Sequence, residues 1–152
     1  MEAQTILAVK GDSVFHVKPD SPISEAVRMM HEKKIGSVLV MENEEGPVLG
    51  ILSERDIIRI VAEHSCTALQ GVVADVMTRD IMACTSDCTI STIISGMGKY
   101  NVRHLPVYGG DKLLGVISAR DVMHIRIQQL ESGVEPRFQR WFSKGKVYSL
   151  GS

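Results

Sequence analysis

No apolar run in this 152-residue sequence reaches the roughly 18–20 residues that a transmembrane helix needs, so a helical membrane span is not expected. Charge of either sign is not in excess. Seventeen Lys and Arg face eighteen Asp and Glu, so no basic balance points to nucleic acid or to an anionic membrane. Cysteine is scarce: three residues, an odd number, form no disulfide framework, which fits a reducing compartment and makes the cytoplasm the expected location. The opening MEAQTILAVKGDS lacks a charged start, a long apolar stretch and a small-residue cleavage site, so no secretory signal is expected. Catalytic groupings are also missing. His16, His31, His64, His104 and His124 are scattered, no Ser or Cys sits in a motif with a base, and there is no Walker loop or dinucleotide glycine fingerprint. No catalytic residue is assigned and an enzyme is not expected. Cys84 and Cys88 lie four apart with no second pair to complete a tetrahedral site, so no metal is expected either. What is present is 44% apolar and 23% charged residues, the composition of a folded globular chain.

The chain also carries one unit twice. GILSERD at 50–56 returns as GVISARD at 115–121, an offset of 65. Upstream, Ile23, Ala26, Val27 and Met30 repeat as Ile90, Ile93, Ile94 and Met97, both at i, i+3, i+4, i+7, with an offset of 67. IGSVLV at 35–40 matches VRHLPV at 102–107 with the same offset, so one length change in polar, Gly-containing turns (41–47 and 108–112) aligns the copies. Each copy predicts a short strand (14–17 and 81–84), an amphipathic helix, two strands around a tight turn, and a second helix starting at Ser53 or Ser118. In the first copy Pro22 is expected as first helical residue, capped by Ser21. The fold class is thus mixed α+β, β-α-β-β-α twice. Neither half can comfortably cover both faces of its sheet, so the halves are expected to pack sheet-to-sheet with pseudo-two-fold symmetry. The expected division is 1–65, 66–130 and a C-terminal extension, 131–152. Met30, Met97 and Met123 read as helix-core residues, and VVADVM in the connector as one helical turn.

The repeated Ser-x-x-Asp admits two readings. As a capping box, Ser53 and Ser118 accept from first-turn N–H groups and Asp56 and Asp121 face the positive helix end, stabilising each helix by about 0.5–2 kcal/mol. As a site, the same free N–H groups and hydroxyl bind an anion, and the carboxylate accepts two hydrogen bonds from a vicinal diol. Such a pair suits the phosphate and ribose of a nucleotide.

With these motifs in place, the chain resembles a CBS-domain pair, the regulatory module named after cystathionine β-synthase, over residues 5–130. The resemblance rests on the β-α-β-β-α repeat, the IGSVLV and RHLPV strands and the two Gly-h-h-Ser-x-x-Asp endings. It implies a sensor that binds AMP, ATP, NAD(H) or S-adenosylmethionine in clefts between the repeats, with AMP ranked first, and that signals to a separate protein effector as a homodimer. Carried over, the favoured cleft would use Ser118, Arg120 and Asp121, with Arg103 and His104 near the phosphate and Ser21, Ala26, Ile35, Gly36 and Ser37 as its adenine wall. The second would use Ser53, Arg55 and Asp56, with Cys88, Ile93, Val102, Arg103 and His104 as wall. Bulkier wall residues and the lack of a basic pair on its own strand rank it below the first. The alternative is a structural or redox-responsive interaction module with vestigial clefts, in which Cys84 and Cys88 form a sensitive pair. The segment from Arg137 to Tyr148 mixes four basic and four aromatic residues and is expected to dock on the module or on a partner chain rather than to stack on nucleic acid.

Overall fold

The computed structural model describes residues 1–11 and 13–131; the expected docking of the aromatic tail lies outside them. Two three-stranded sheets are present. The first comprises β1 (His16–Val17), β2 (Ser37–Val40) and β3 (Gly50–Ser53), the second β4 (Cys84–Thr85), β5 (His104–Gly109) and β6 (Lys112–Ser118). In each, the first strand runs parallel to the second after a helical crossover, and the second pairs antiparallel with the third. The crossovers are α2 (Ile23–Lys33) and α4 (Ile90–Tyr100); α3 (Glu54–His64) and α5 (Ala119–Glu131) follow the third strands. The expected β-α-β-β-α order is present twice.

The alternation along the strands divides two environments. Val38 and Val40 join Ile23, Ala26, Met30, Leu52 and Ile60 in a first core; Leu105 and Val107 join Ile90, Ile93, Met97, Ile117, Val122 and Ile125 in a second. Leu39, on the opposite face of β2, and Met41, just past its end, are also only 1% exposed, as the sheet-to-sheet arrangement requires.

The parts flanking the repeats are exchanged. A helix not expected from the periodicity, α1 (Ala3–Lys10), precedes the first repeat yet puts Ala3, Ile6 and Leu7 into the second core. The connector, with 3₁₀ turns at Cys66–Gln70 and Val73–Asp75, puts Val73 and Met77 into the first. Glycine makes both contacts possible. A Cβ on Gly115 would stand 2.8 Å from Leu7 Cδ2, and one on Gly50 2.5 Å from Met77 Sδ and 3.1 Å from the Thr78 carbonyl. Gly50→Ala is expected to destabilise the protein by about 1–3 kcal/mol, read as a lower urea midpoint at unchanged slope.

Several local expectations need correction. The first strands are two residues long, not four, because only those residues pair with their neighbours. Pro22 is the N-cap (ψ 142°) and Ile23 the first helical residue, because Pro22 bridges Val72 and the Ile23 N–H donates to the Gly71 carbonyl. The turn between β2 and β3 is long; only β5–β6 turns tightly, through Gly110 at φ +63°. Met123 is 61% exposed, as is its repeat equivalent Ile58 at 71%, so this position faces outward in both halves.

Candidate functional site

Both Ser-x-x-Asp motifs form capping boxes. Asp56 Oδ2 accepts from the Ser53 N–H and hydroxyl, each at 2.9 Å, while the Asp56 N–H donates to Ser53 Oγ at 3.4 Å. Asp121 Oδ2 accepts from the Ser118 N–H at 2.7 Å and hydroxyl at 2.8 Å, and its N–H donates to Ser118 Oγ at 3.2 Å. The capping role is therefore real, and what distinguishes the two halves is what else faces each carboxylate.

Around Asp56 a cavity of about 420 Å³ opens, within the usual size range of small-molecule sites. The first repeat supplies Gly36, Ile51, Ser53, Glu54, Arg55, Asp56 and Ile58; the connector supplies Thr78; the second repeat supplies Asn101, Val102, Arg103 and His104. Asp56 Oδ1 has only long contacts, to Thr78 Oγ1 at 3.5 Å and Arg59 Nη2 at 3.6 Å, and keeps acceptor capacity. Arg55 Nη1 donates to the Asn101 carbonyl at 3.2 Å, tying the repeats together across the cavity. Arg103 is exposed; its carbonyl accepts from the Ala119 N–H at 2.8 Å, but its guanidinium makes no hydrogen bond or ion pair among the described residues. Another cavity, about 320 Å³ between Val48, Arg79 and Tyr108, includes neither cap.

His104 is half-buried beside these groups. Burial, then the charge of Lys10, pushes its pKa down to about 4; Asp121 pulls the other way, and Arg103 and Arg55 add to the lowering. It is neutral at pH 7. Asp121 is held below the usual carboxylate range: burial alone would raise it, but hydrogen bonds from Lys10 and Ser118 and the Lys10 charge outweigh burial. Lys10 Nζ, from the end of α1, lies 2.7 Å from Asp121 Oδ2 and 2.7 Å from the Val116 carbonyl.

The expected site residues are distributed unevenly. Ser53, Arg55, Asp56 and Val102 come together as expected, with Gly36, Arg103 and His104 on the same cavity. Cys88 packs against the second core and Ile93 is 1% exposed within it, so neither lines the cavity. Of the other set, Ser118 and Asp121 are joined, while Ala26 is 0% exposed inside the first core and Ile35, half-buried, packs against that core. Ser21 takes its carbonyl to the Val73 N–H, Ser37 pairs with Ser53 across β2–β3, and Arg120 is exposed. Sequence reasoning missed Lys10, Thr78 and Asn101, which reach the sites from segments outside the repeated pattern or from the end of a helix.

Gly36 keeps the two repeats close and the cavity open: a Cβ there would stand 3.2 Å from His104 Nε2. Gly36→Val is expected to weaken whatever binds here by about tenfold or more, because it both displaces His104 and fills the cavity. A ligand titration of the variant checks this.

The fold and the paired caps define a tandem two-repeat module. The family model for the CBS domain matches residues 9–63 and 73–127, and the chain belongs to the CBS-domain family. A CBS-domain protein from Agrobacterium tumefaciens has a crystal structure that superposes with a TM-score of 0.79 at 35% identity, covering 83% of this chain and 99% of that one. An uncharacterized 17.7 kDa protein from Acidianus ambivalens is 31% identical over 79% of this chain and 71% of its own length. A CBS-domain pair solved with 5′-methylthioadenosine and S-adenosylmethionine shares the fold at a TM-score of 0.74 and 18% identity, covering 85% of this chain and 98% of that one. Other relatives are longer: the chain spans 36% of an arabinose 5-phosphate isomerase from Francisella tularensis, which is 28% identical over 78% of this chain. The matching family model is not a catalytic one. Among the described residues no helix is long and apolar enough to cross a membrane, and no cluster of His, Cys, Asp and Glu could hold a metal ion.

Proposed function

We propose that this CBS-domain pair senses an adenosine nucleotide and takes it in the cavity at Ser53–Asp56. One observation carries the reading: the cavity joins a carboxylate with a spare oxygen at a helix N-terminus of one repeat to an unpaired guanidinium on the other. Asp56 Oδ1 accepts the ribose hydroxyls. Arg103 and Arg55, both exposed at the cavity, supply the counter-charge for phosphate through charge-assisted, bidentate-capable guanidinium groups. The apolar surfaces of Ile51, Ile58 and Val102 offer the base a non-polar wall. AMP is the ligand of choice, before NAD(H) and ATP; the neighbour with S-adenosylmethionine supports an adenosine compound as a class. We rank the Asp56 cleft above the Asp121 cleft, the opposite of the expectation from the strand residues, because Arg103 and His104 line the Asp56 cavity and Lys10 already pairs with Asp121.

Because ligand groups come from both repeats, binding favours one relative placement of them, and this differential affinity is the signal passed to a separate protein effector. A second copy of the chain would cover the exposed stripe Met123, Ile127 and Leu130 on α5, giving a homodimer. The protein would act as a regulator in the cytoplasm, not as an enzyme. The redox alternative is disfavoured by Cys84, whose thiol burial, with Cys88 beside it, pushes up to about 11; it stays protonated and poorly nucleophilic at pH 7.

A thermal-shift panel on nucleotide-free protein tests the reading, with AMP, ADP, ATP, NAD⁺, NADH, S-adenosylmethionine and GMP. A ligand at about 100 times its dissociation constant stabilises by about 2.7 kcal/mol. An adenosine-selective shift is expected; a flat panel would leave the motifs as caps only.

A further inference from the structure

The two capping boxes are alike, yet the third element at each is different. In the first half it is Thr78, from the connector. Its N–H donates to the Ile51 carbonyl at 2.9 Å, and its hydroxyl faces Asp56 Oδ1 at 3.5 Å. In the second half it is Lys10, from α1. Its ammonium donates to the Val116 carbonyl and to Asp121 Oδ2, both at 2.7 Å. Val116 is the repeat equivalent of Ile51, and Asp121 of Asp56, at the offset of 65. One ammonium thus takes over the carbonyl that Thr78 contacts with an amide, and it pairs with the equivalent carboxylate through Oδ2, the oxygen that also holds the Ser118 cap.

From this we infer that Lys10 decides which of the two caps takes ligand: it fills the second as an internal cation, leaving one nucleotide site per chain. This rests on the nucleotide reading above. The placement is enforced by packing. Ala3 and Ile6 are 0% exposed and Leu7 is 7% exposed in the second core, with Leu7 against Gly115, so the last turn of α1 is delivered to the end of β6. Gly11, at φ +98°, ends the helix with its N–H on the Leu7 carbonyl. The consequence is electrostatic as well as steric. A carboxylate already paired with an ammonium offers a diol a weaker acceptor, and a ligand entering here must first break two short charge-assisted bonds. At Asp56 the barrier is lower, since Thr78 is neutral and the nearest cation, Arg59, stands at 3.6 Å. The ion pair is partly exposed (34% for Lys10 and 20% for Asp121), so the barrier is moderate and removable.

Isothermal titration with AMP of the full chain, Lys10→Thr and Lys10→Met tests this, with melting curves confirming that the variants fold. Lys10→Thr shortens the side chain and removes the ammonium; Lys10→Met keeps the apolar stem and removes the charge with both of its hydrogen bonds. The wild type is expected to bind one AMP per chain and both variants two, the new site gaining about tenfold or more in affinity. One AMP in wild type and variants alike overturns the inference and leaves the nucleotide reading standing, and so does weaker binding in the variants. Two AMP in the wild type also overturns it. No AMP in the wild type but one in each variant upholds Lys10 as the plug and rejects the Asp56 cavity as the site. No AMP in any of the three overturns both.

Discussion

Replacing Asp56 with alanine is expected to weaken AMP binding by about 100-fold or more, whereas Asp121→Ala leaves it within about threefold. Hydrogen bonds to a charged group contribute about 1.5–3 kcal/mol each, so losing two from a ribose diol costs about 3–6 kcal/mol. The asymmetry follows from what each carboxylate already holds. The nearest cation to Asp56 is Arg59 at 3.6 Å from Oδ1, while Asp121 carries the Lys10 ammonium at 2.7 Å on Oδ2, which neutralises the carboxylate as a whole. Alanine also removes the cap, so Asp56→Asn belongs in the same comparison: its amide oxygen can still accept from Ser53, and its negative charge is gone. Asp56→Asn is expected to fold normally and bind poorly. Titrations of the three variants at matched protein concentration check the order, and stronger loss in Asp121→Ala than in Asp56→Ala would reverse the assignment of the site.

The second large effect is on stability against pH. His104 takes its proton at about 4 in the folded chain and near its ordinary 6.5 when unfolded. Between these values the unfolded chain holds more protons, so stability rises with pH across the window and is lost as pH falls from 6.5 towards 4. A depression of this size, discounted for the exposed part of the ring, amounts to about 2–3 kcal/mol. Asp121 acts in the same direction lower down. Its lowered pKa gives stability that is present above its ordinary 3.8 and lost as pH falls below that value. Denaturant unfolding at pH 7 and pH 4.5 is expected to show a drop that His104→Gln largely abolishes. An equal drop in that variant would place the acid sensitivity elsewhere.

Why these residues escaped or yielded to sequence reading has a physical explanation. The helix from Ile23 and its copy from Ile90 were readable because burial on one face imposes the 3.6-residue period in both. The caps were readable because Ser53–Asp56 and Ser118–Asp121 satisfy them within four residues. Lys10 was not, because it acts on a carboxylate 111 positions away, delivered by a helix that packs on the half it does not belong to. Comparing each residue with its repeat equivalent could not assign Arg103 and His104 to one cleft. This strand end lies between the two caps: His104 pairs with Ser118 across β5–β6, while both residues also line the cavity at Asp56. Met123 failed for a simpler reason: it sits one position beyond the buried Val122, where an apolar side chain remains on the outer face.

The most direct measurement is a crystal structure of the full chain grown with AMP. The account predicts one AMP per chain, its ribose on the Asp56 carboxylate and its phosphate near Arg103, with Lys10 still on Asp121. AMP seated on Asp121 with Lys10 displaced, and the Asp56 cavity empty, would contradict it.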